Sequence, residues 1–128
     1  QYIEQTQNDL FADRQLRLMI ENGNRQVVGI VDLCSFDPLH NRAEVGIMVD
    51  KSCRRQGIGR NALALLEEHC FRYLGIHQLF AYIAVENLPS RRLFAACGYK
   101  ESAVLKEWAH TFGGGYTDVL VVQKLNLS

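Results

Sequence analysis

No sign of charge dominates this chain: of its 128 residues, fourteen are Lys or Arg and fourteen are Asp or Glu. A general nucleic-acid binder carries a basic excess, so that class is disfavoured. No apolar run approaches the ~20 residues of a membrane span, and no secretory leader opens the sequence. Cys34, Cys53, Cys70 and Cys97 lie far apart and form no C-x-x-C pair. Such spacing points to reduced thiols and a cytoplasmic setting rather than a disulfide framework or a zinc site. The histidines (His40, His69, His77 and His110) are equally scattered, so no metal is expected. There is no internal repeat, low-complexity segment or interdomain linker either. One domain, residues 1–128, is expected, large enough to bury roughly two-thirds of its surface.

What the chain does have is Arg54-Arg55-Gln56-Gly57-Ile58-Gly59-Arg60. An apolar stretch, Val45 to Val49, runs into it. Out of it comes a helical pattern, with Ile58, Ala62, Leu65, Leu66, His69, Cys70 and Tyr73 three or four residues apart. The segment reads as strand, basic glycine loop and helix. The first turn of a helix leaves backbone N–H groups unpaired, and the helix dipole adds positive charge there. Glycine removes the Cβ that would hold a phosphate off, and arginine adds a bidentate fork. A pyrophosphate suits such a site. It is not a P-loop, since no Gly-Lys-Ser/Thr follows. Nor is it the dinucleotide fingerprint, because Ala62 stands where a third glycine belongs.

The remaining chain reads as follows. Glu4 to Ala12 has the pattern of a helix end. Gln15 to Glu21 and Gln26 to Phe36 form an antiparallel hairpin around an Asn22-Gly23 turn. Asp37 to Asn41 is a loop, and Ala43 to Val49 a third strand. The helix after the glycine loop runs to about Tyr73 and is closed by Gly75. His77 to Val85 is the next strand, lying parallel to the third because a helix joins them. Asn87 and Pro89 start a short helix that presents Leu93, Phe94 and Cys97 and ends at Gly98. Two strands follow, Tyr99 to about Trp108 and Tyr116 to Leu125. The class is therefore α/β (α+β), with a mixed, mostly antiparallel sheet and a central parallel β-α-β crossover.

Arg54, Gly57 and Gly59 fill the pattern Gln/Arg-x-x-Gly-x-Gly/Ala, which resembles the acetyl-CoA loop of the GNAT acetyltransferase superfamily. Asn87 to Tyr99 is similar to the family's second signature, Asn-x-x-Ser-x-x-Leu-Tyr/Phe-x-x-x-Gly-Phe/Tyr. Gly114-Gly115-Tyr116-Thr117-Asp118 resembles the Gly-x-Tyr-x-Asp hairpin of the ribosomal-protein N-terminal and spermidine acetyltransferase subgroup, and His40-Asn41-Arg42-Ala43-Glu44 resembles the run entering the same strand of the spermidine enzymes. The order of elements agrees with the GNAT fold from about residue 14 onward. The family opens with a strand and two helices, and this chain, which has no initiator methionine, starts partway into them. The first strand is expected to be missing and the domain N-terminally incomplete, leaving the first hairpin with an open edge.

The resemblance implies transfer of acetyl from acetyl-CoA to a primary amine, either a small amine or polyamine or a peptide N-terminus, by direct attack in a ternary complex. It implies that the pantetheine arm pairs along Ile47, Met48 and Val49, and that Arg54, Arg55, Gln56, Gly57, Ile58, Gly59 and Arg60 hold the pyrophosphate. Asn87 and Ser90 would touch the arm, besides capping their helix, and Arg92 would lie near the nucleotide. Glu44, a carboxylate in an otherwise apolar strand, is the candidate base or water-positioning group; as an alternating residue it can also simply face solvent. His40 is a candidate for substrate contact. The family's tyrosine acid is replaced by Phe94, which has no hydroxyl. Tyr99, Tyr116 and Cys97 are unranked substitutes, with Tyr116 the tyrosine expected nearer the acceptor. A non-catalytic acyl-CoA-binding module is the alternative that Phe94 motivates. Oligomeric state is left open, a homodimer included.

Overall fold

A computed structural model describes residues 2–5, 15–53 and 57–127. Seven strands form a single sheet: β1 (Tyr2–Gln5), β2 (Leu16–Glu21), β3 (Val27–Asp37), β4 (Arg42–Val49), β5 (Gln78–Ala84), β6 (Lys100–His110) and β7 (Tyr116–Leu125). Their order across the sheet is β1-β2-β3-β4-β5-β7-β6. Among the described residues, two α-helices, α1 (Ile58–Glu68) and α2 (Leu88–Ala96), follow β4 and β5. All neighbouring strands are antiparallel except β4 and β5, which are parallel as a β-α-β crossover requires.

Alternation decides the faces. Leu16 and Leu18 of β2, Val31 and Leu33 of β3, Ala43 and Val45 of β4, and Leu79, Ala81 and Ile83 of β5 are buried together against Leu63 and Leu66 of α1 and Phe94 of α2. The intervening residues point to the opposite face. Past Glu68, α1 continues as a five-residue π turn, His69–Tyr73, and Gly75 closes it with φ of 65°. That is the left-handed conformation only glycine adopts without cost.

Three expectations in the N-terminal part are corrected. The edge of β2 is not open, because β1 pairs with it from Tyr2 against Glu21 to Gln5 against Leu18. Glu4 and Gln5 thus belong to a strand, not to a helix end; the rest of that expected helix lies outside the described residues. The β2–β3 turn also differs from an Asn-Gly hairpin. The Asn22 side chain accepts N–H bonds from Asn24 and Gln26 at 2.8 and 3.0 Å, and the positive φ falls on Arg25, not Gly23. An Asx-type turn supplies the closure that the glycine was expected to provide.

Candidate active site

The site is made by a ladder that stops. β4 and β5 share three rungs, Arg42–Gln78, Ala43–Leu79 and Glu44–Phe80. Beyond them β4 stays with β3 as far as Val49–Gly29, and β5 stays with β7 as far as Ala84–Val119. The two strands part, and residues 45–48 have no ladder partner on the β5 side among the described residues. An exposed strand edge of this kind is a template for an extended ligand. Ile47 and Met48 lie on it, with Val49 at its end.

Both helices begin at the open end of this gap. Gly57 is the N-cap of α1, with φ of 75° and ψ of 6°, and it accepts the Asn61 N–H at 3.0 Å. Ile58 is buried beneath the start of α1, and Arg60 is exposed. The basic run Arg54, Arg55 and Gln56 lies outside the described residues. At α2, the Asn87 side chain accepts the Ser90 N–H at 3.3 Å and Pro89 occupies the first turn. Asn87 therefore caps its helix as its residue type predicts. Arg92 is exposed on α2.

The two glycines of the loop have different reasons. Nothing lies within 4 Å of a Cβ built on Gly57, so its positive φ is what calls for glycine. Gly59 lacks a positive φ, and a Cβ there would come 3.2 Å from Leu93 Cδ2 and 3.7 Å from Val49 Cγ2. Gly59 thus lets α1 pack closely on α2 and β4.

Glu44 sits on the last rung, half-buried, on the face away from the helices. Cys34 of β3 is its direct cross-strand partner, and the Ser35 hydroxyl reaches Glu44 Oε1 at 3.4 Å. Ser35 gets there because the β3–β4 register shifts between Cys34 and Asp37, where Ser35 takes φ of 51°. Burial, followed by the Glu44 charge, pushes the Cys34 thiol above its ordinary range. The sequence pattern carried no signal for this bulge.

Other candidates are placed apart from Glu44. Phe94 and Tyr99 lie on the helix side of the sheet, buried, ring to ring at 4.9 Å and 86°. Burial, with Glu67 nearby, pushes the Tyr99 hydroxyl far up, which makes it a poor proton donor. Behind it, Lys124 Nζ binds Glu67 Oε2 at 2.7 Å and the Cys97 carbonyl at 2.6 Å, joining α1, the end of α2 and β7. Tyr116 is exposed at the start of β7, edge-on to His110 at 5.2 Å. Gln123 is level with Phe80 and hence with Glu44, so Tyr116 stands seven residues, on the order of 24 Å, further along β7. His40 is exposed in the β3–β4 loop, its backbone N–H closing a turn on Asp37 Oδ1 at 3.0 Å. Asp118 has a local task. Its carboxylate accepts the Glu107 N–H at 2.9 Å and meets Lys106 at 3.3 Å, which holds Glu107 at φ of 49° in a β6 bulge. These bonds, the backbone one foremost, keep its carboxyl below the usual range.

A family model matches most of this chain. The model described as an acetyltransferase (GNAT) domain matches residues 1–100. The chain belongs to this GNAT family. Among curated relatives, spermidine N(1)-acetyltransferase of Vibrio cholerae is 27% identical over 103 residues, 80% of this chain, and a putative phosphinothricin acetyltransferase of Bacillus subtilis is 34% identical over 102 residues, 75% of this chain. The chain spans 59% of the length of each of these relatives. A dodecameric structure of the Vibrio cholerae spermidine N-acetyltransferase superposes with a TM-score of 0.84 at 25% identity, covering 91% of this chain and 68% of that one. The GNAT fold expected from the order of elements is thereby borne out. No described helix is long and apolar enough to cross a membrane.

Proposed function

We propose that this GNAT protein transfers acetyl from acetyl-CoA to a primary amine. The observation that carries the reading is the end of the β4–β5 ladder at Glu44, with the free β4 edge and the Gly57 turn of α1 opening onto the same gap. The residues fit the co-substrate. Ile47 to Val49 offer backbone groups to its amide arm, and the N–H groups of Gly57, Ile58, Gly59 and Arg60 offer a cradle for its pyrophosphate. Arg54, Arg55 and Gln56 add charge and donors by their place in the motif. Asn87, Ser90 and Arg92 flank the arm from α2.

Glu44 receives the proton of the acceptor amine, directly or through a water. A free alkylamine titrates near pH ~10, so near neutrality it needs this help before its nitrogen can attack the acetyl carbonyl. The carbon–sulfur bond then breaks. Phe94 has no proton to give and Tyr99 is held on the other side of the sheet. The thiolate, whose conjugate acid has a pKa of about 8.5, leaves unassisted or takes its proton from water. The spermidine enzyme among the relatives supports a polyamine-like acceptor over a peptide N-terminus.

Release of free thiol from acetyl-CoA, followed with a panel of amines, polyamines and peptide N-termini, tests the proposal. Acceptor-dependent release is expected. Binding of CoA without release for any acceptor would refute it and leave a non-catalytic acyl-CoA-binding module.

A further inference from the structure

β5 carries two aromatic rings on the face that its core residues avoid. Leu79, Ala81 and Ile83 point to the helices, while Phe80 and Tyr82 point with Glu44 to the other face. A half-solvated strand ordinarily fills that phase with polar residues. Tyr82 is nevertheless 46% exposed, and its ring meets Phe80 edge to face at 5.8 Å and 84°. Phe80 is the Cα partner of Glu44 on the last rung, and Tyr82 is the next residue of that face as the strands part.

Among the described residues, little covers the β4 side of the gap. Glu44, Gly46 and Met48 share this face, and a Cβ built on Gly46 would meet nothing closer than Asp32 Cβ at 4.0 Å. Asp32 is engaged by Arg17 at 2.8 Å. Glu44, by contrast, has no ion-pair partner among the described residues; it meets the Ser35 hydroxyl and the Cys34 thiol. A half-buried carboxylate without a cation, beside two aromatic rings and an open floor, is an environment that favours a cation. The ring quadrupole attracts an ammonium within ~6 Å of its centroid.

We propose that Phe80 and Tyr82, with Glu44, form a subsite for an alkylammonium group, so that the acceptor is a diamine or longer polyamine. The inference rests on the amine-acetyltransferase reading for the identity of its ligand and adds the residues that select it. Glu44 serves the amine to be acetylated. Tyr82, two residues or about 6.6 Å along β5, serves the second, still protonated nitrogen, a separation about four methylenes can span.

The test compares 1,4-diaminobutane with 1-aminobutane, which has the same reach but no second charge. In the parent protein the diamine should have the lower KM. Tyr82→Leu should raise the diamine-to-monoamine KM ratio by roughly 3- to 10-fold, and Tyr82→Phe, which keeps the ring, should restore it. Tyr82 is exposed, so neither change threatens the core. An unchanged ratio in Tyr82→Leu, or equal losses in Leu and Phe, would overturn the subsite. If the parent acetylates neither amine, the wider acceptor panel decides the transferase reading. Calorimetric titration with the diamine then decides the subsite alone: affinity lost in Leu and kept in Phe supports it, and equal affinity in all three overturns it.

Discussion

Replacing Gly57 and Gly59 by alanine, one at a time, separates two demands that a single motif conceals. At Gly57 the obstacle is torsional. An L-residue held at φ of 75° costs about 1–2 kcal/mol, and no neighbour within 4 Å adds to it. If the variant loop keeps its form, the cost appears as lost stability. If the free loop relaxes to negative φ, acetyl-CoA binding must restore the strained form, and Kd rises by roughly 5- to 30-fold. Gly57→Asn should recover part of either loss, because asparagine tolerates this region. At Gly59 the obstacle is contact. The new methyl would sit 3.2 Å from Leu93 Cδ2, so a flexible side chain must yield by a few tenths of an ångström. Against this, alanine gains about 0.8–1.0 kcal/mol over glycine within a helix. The two nearly cancel, and the methyl points into the α1–α2 contact rather than toward a ligand. Calorimetry of acetyl-CoA binding and thermal melts of both variants check the reasoning. A Gly59→Ala protein of unchanged stability that loses as much affinity as Gly57→Ala would refute it, since its methyl would then have to reach the phosphates.

Glu44→Gln should bind acetyl-CoA nearly as the parent does yet turn over on the order of 10²-fold more slowly near neutrality, with the defect shrinking at high pH; unchanged kinetics at every pH would remove Glu44 from the chemistry. Lys124→Met strips the cation from Glu67, whose side chain is only 10% exposed. Because Lys124 itself is 29% exposed, the loss should fall below the fully buried case, at about 2–3 kcal/mol, readable as a lower Tm by circular dichroism. Burial, with the nearby Glu67 charge, raises the Cys70 thiol from 9.0 to about 12. Its folded-state value lies above the unfolded one, so its contribution is complete below pH 9 and is lost as pH rises from there toward 12. The Tm of Cys70→Ala should therefore fall less steeply than the parent's across that window, and parallel slopes would contradict the assignment.

Local rules made much of this protein legible. The strand–glycine loop–helix segment, the buried phase of each strand, the Asn87 cap and the Gly75 closure all follow from spacing and residue type within a few positions. Glu44 stood out because a carboxylate in an apolar strand has a cost that must be met somewhere. What the chain conceals is where distant segments stop touching. Among the described residues three rungs join β4 to β5 and then none, and that ending puts Glu44 where the two strands part. That Gly59 also packs against Leu93 is not visible in the motif. Phe80 and Tyr82 look like out-of-phase strand residues until β4 brings Glu44 beside them. Lys124 and Glu67, 57 residues apart, have no sequence signature at all. Periodicity reports which face a residue occupies, because that depends on its own neighbours. Which group it meets on that face depends on strand register, on twist and on where a ladder ends, and these are set only when the whole sheet assembles.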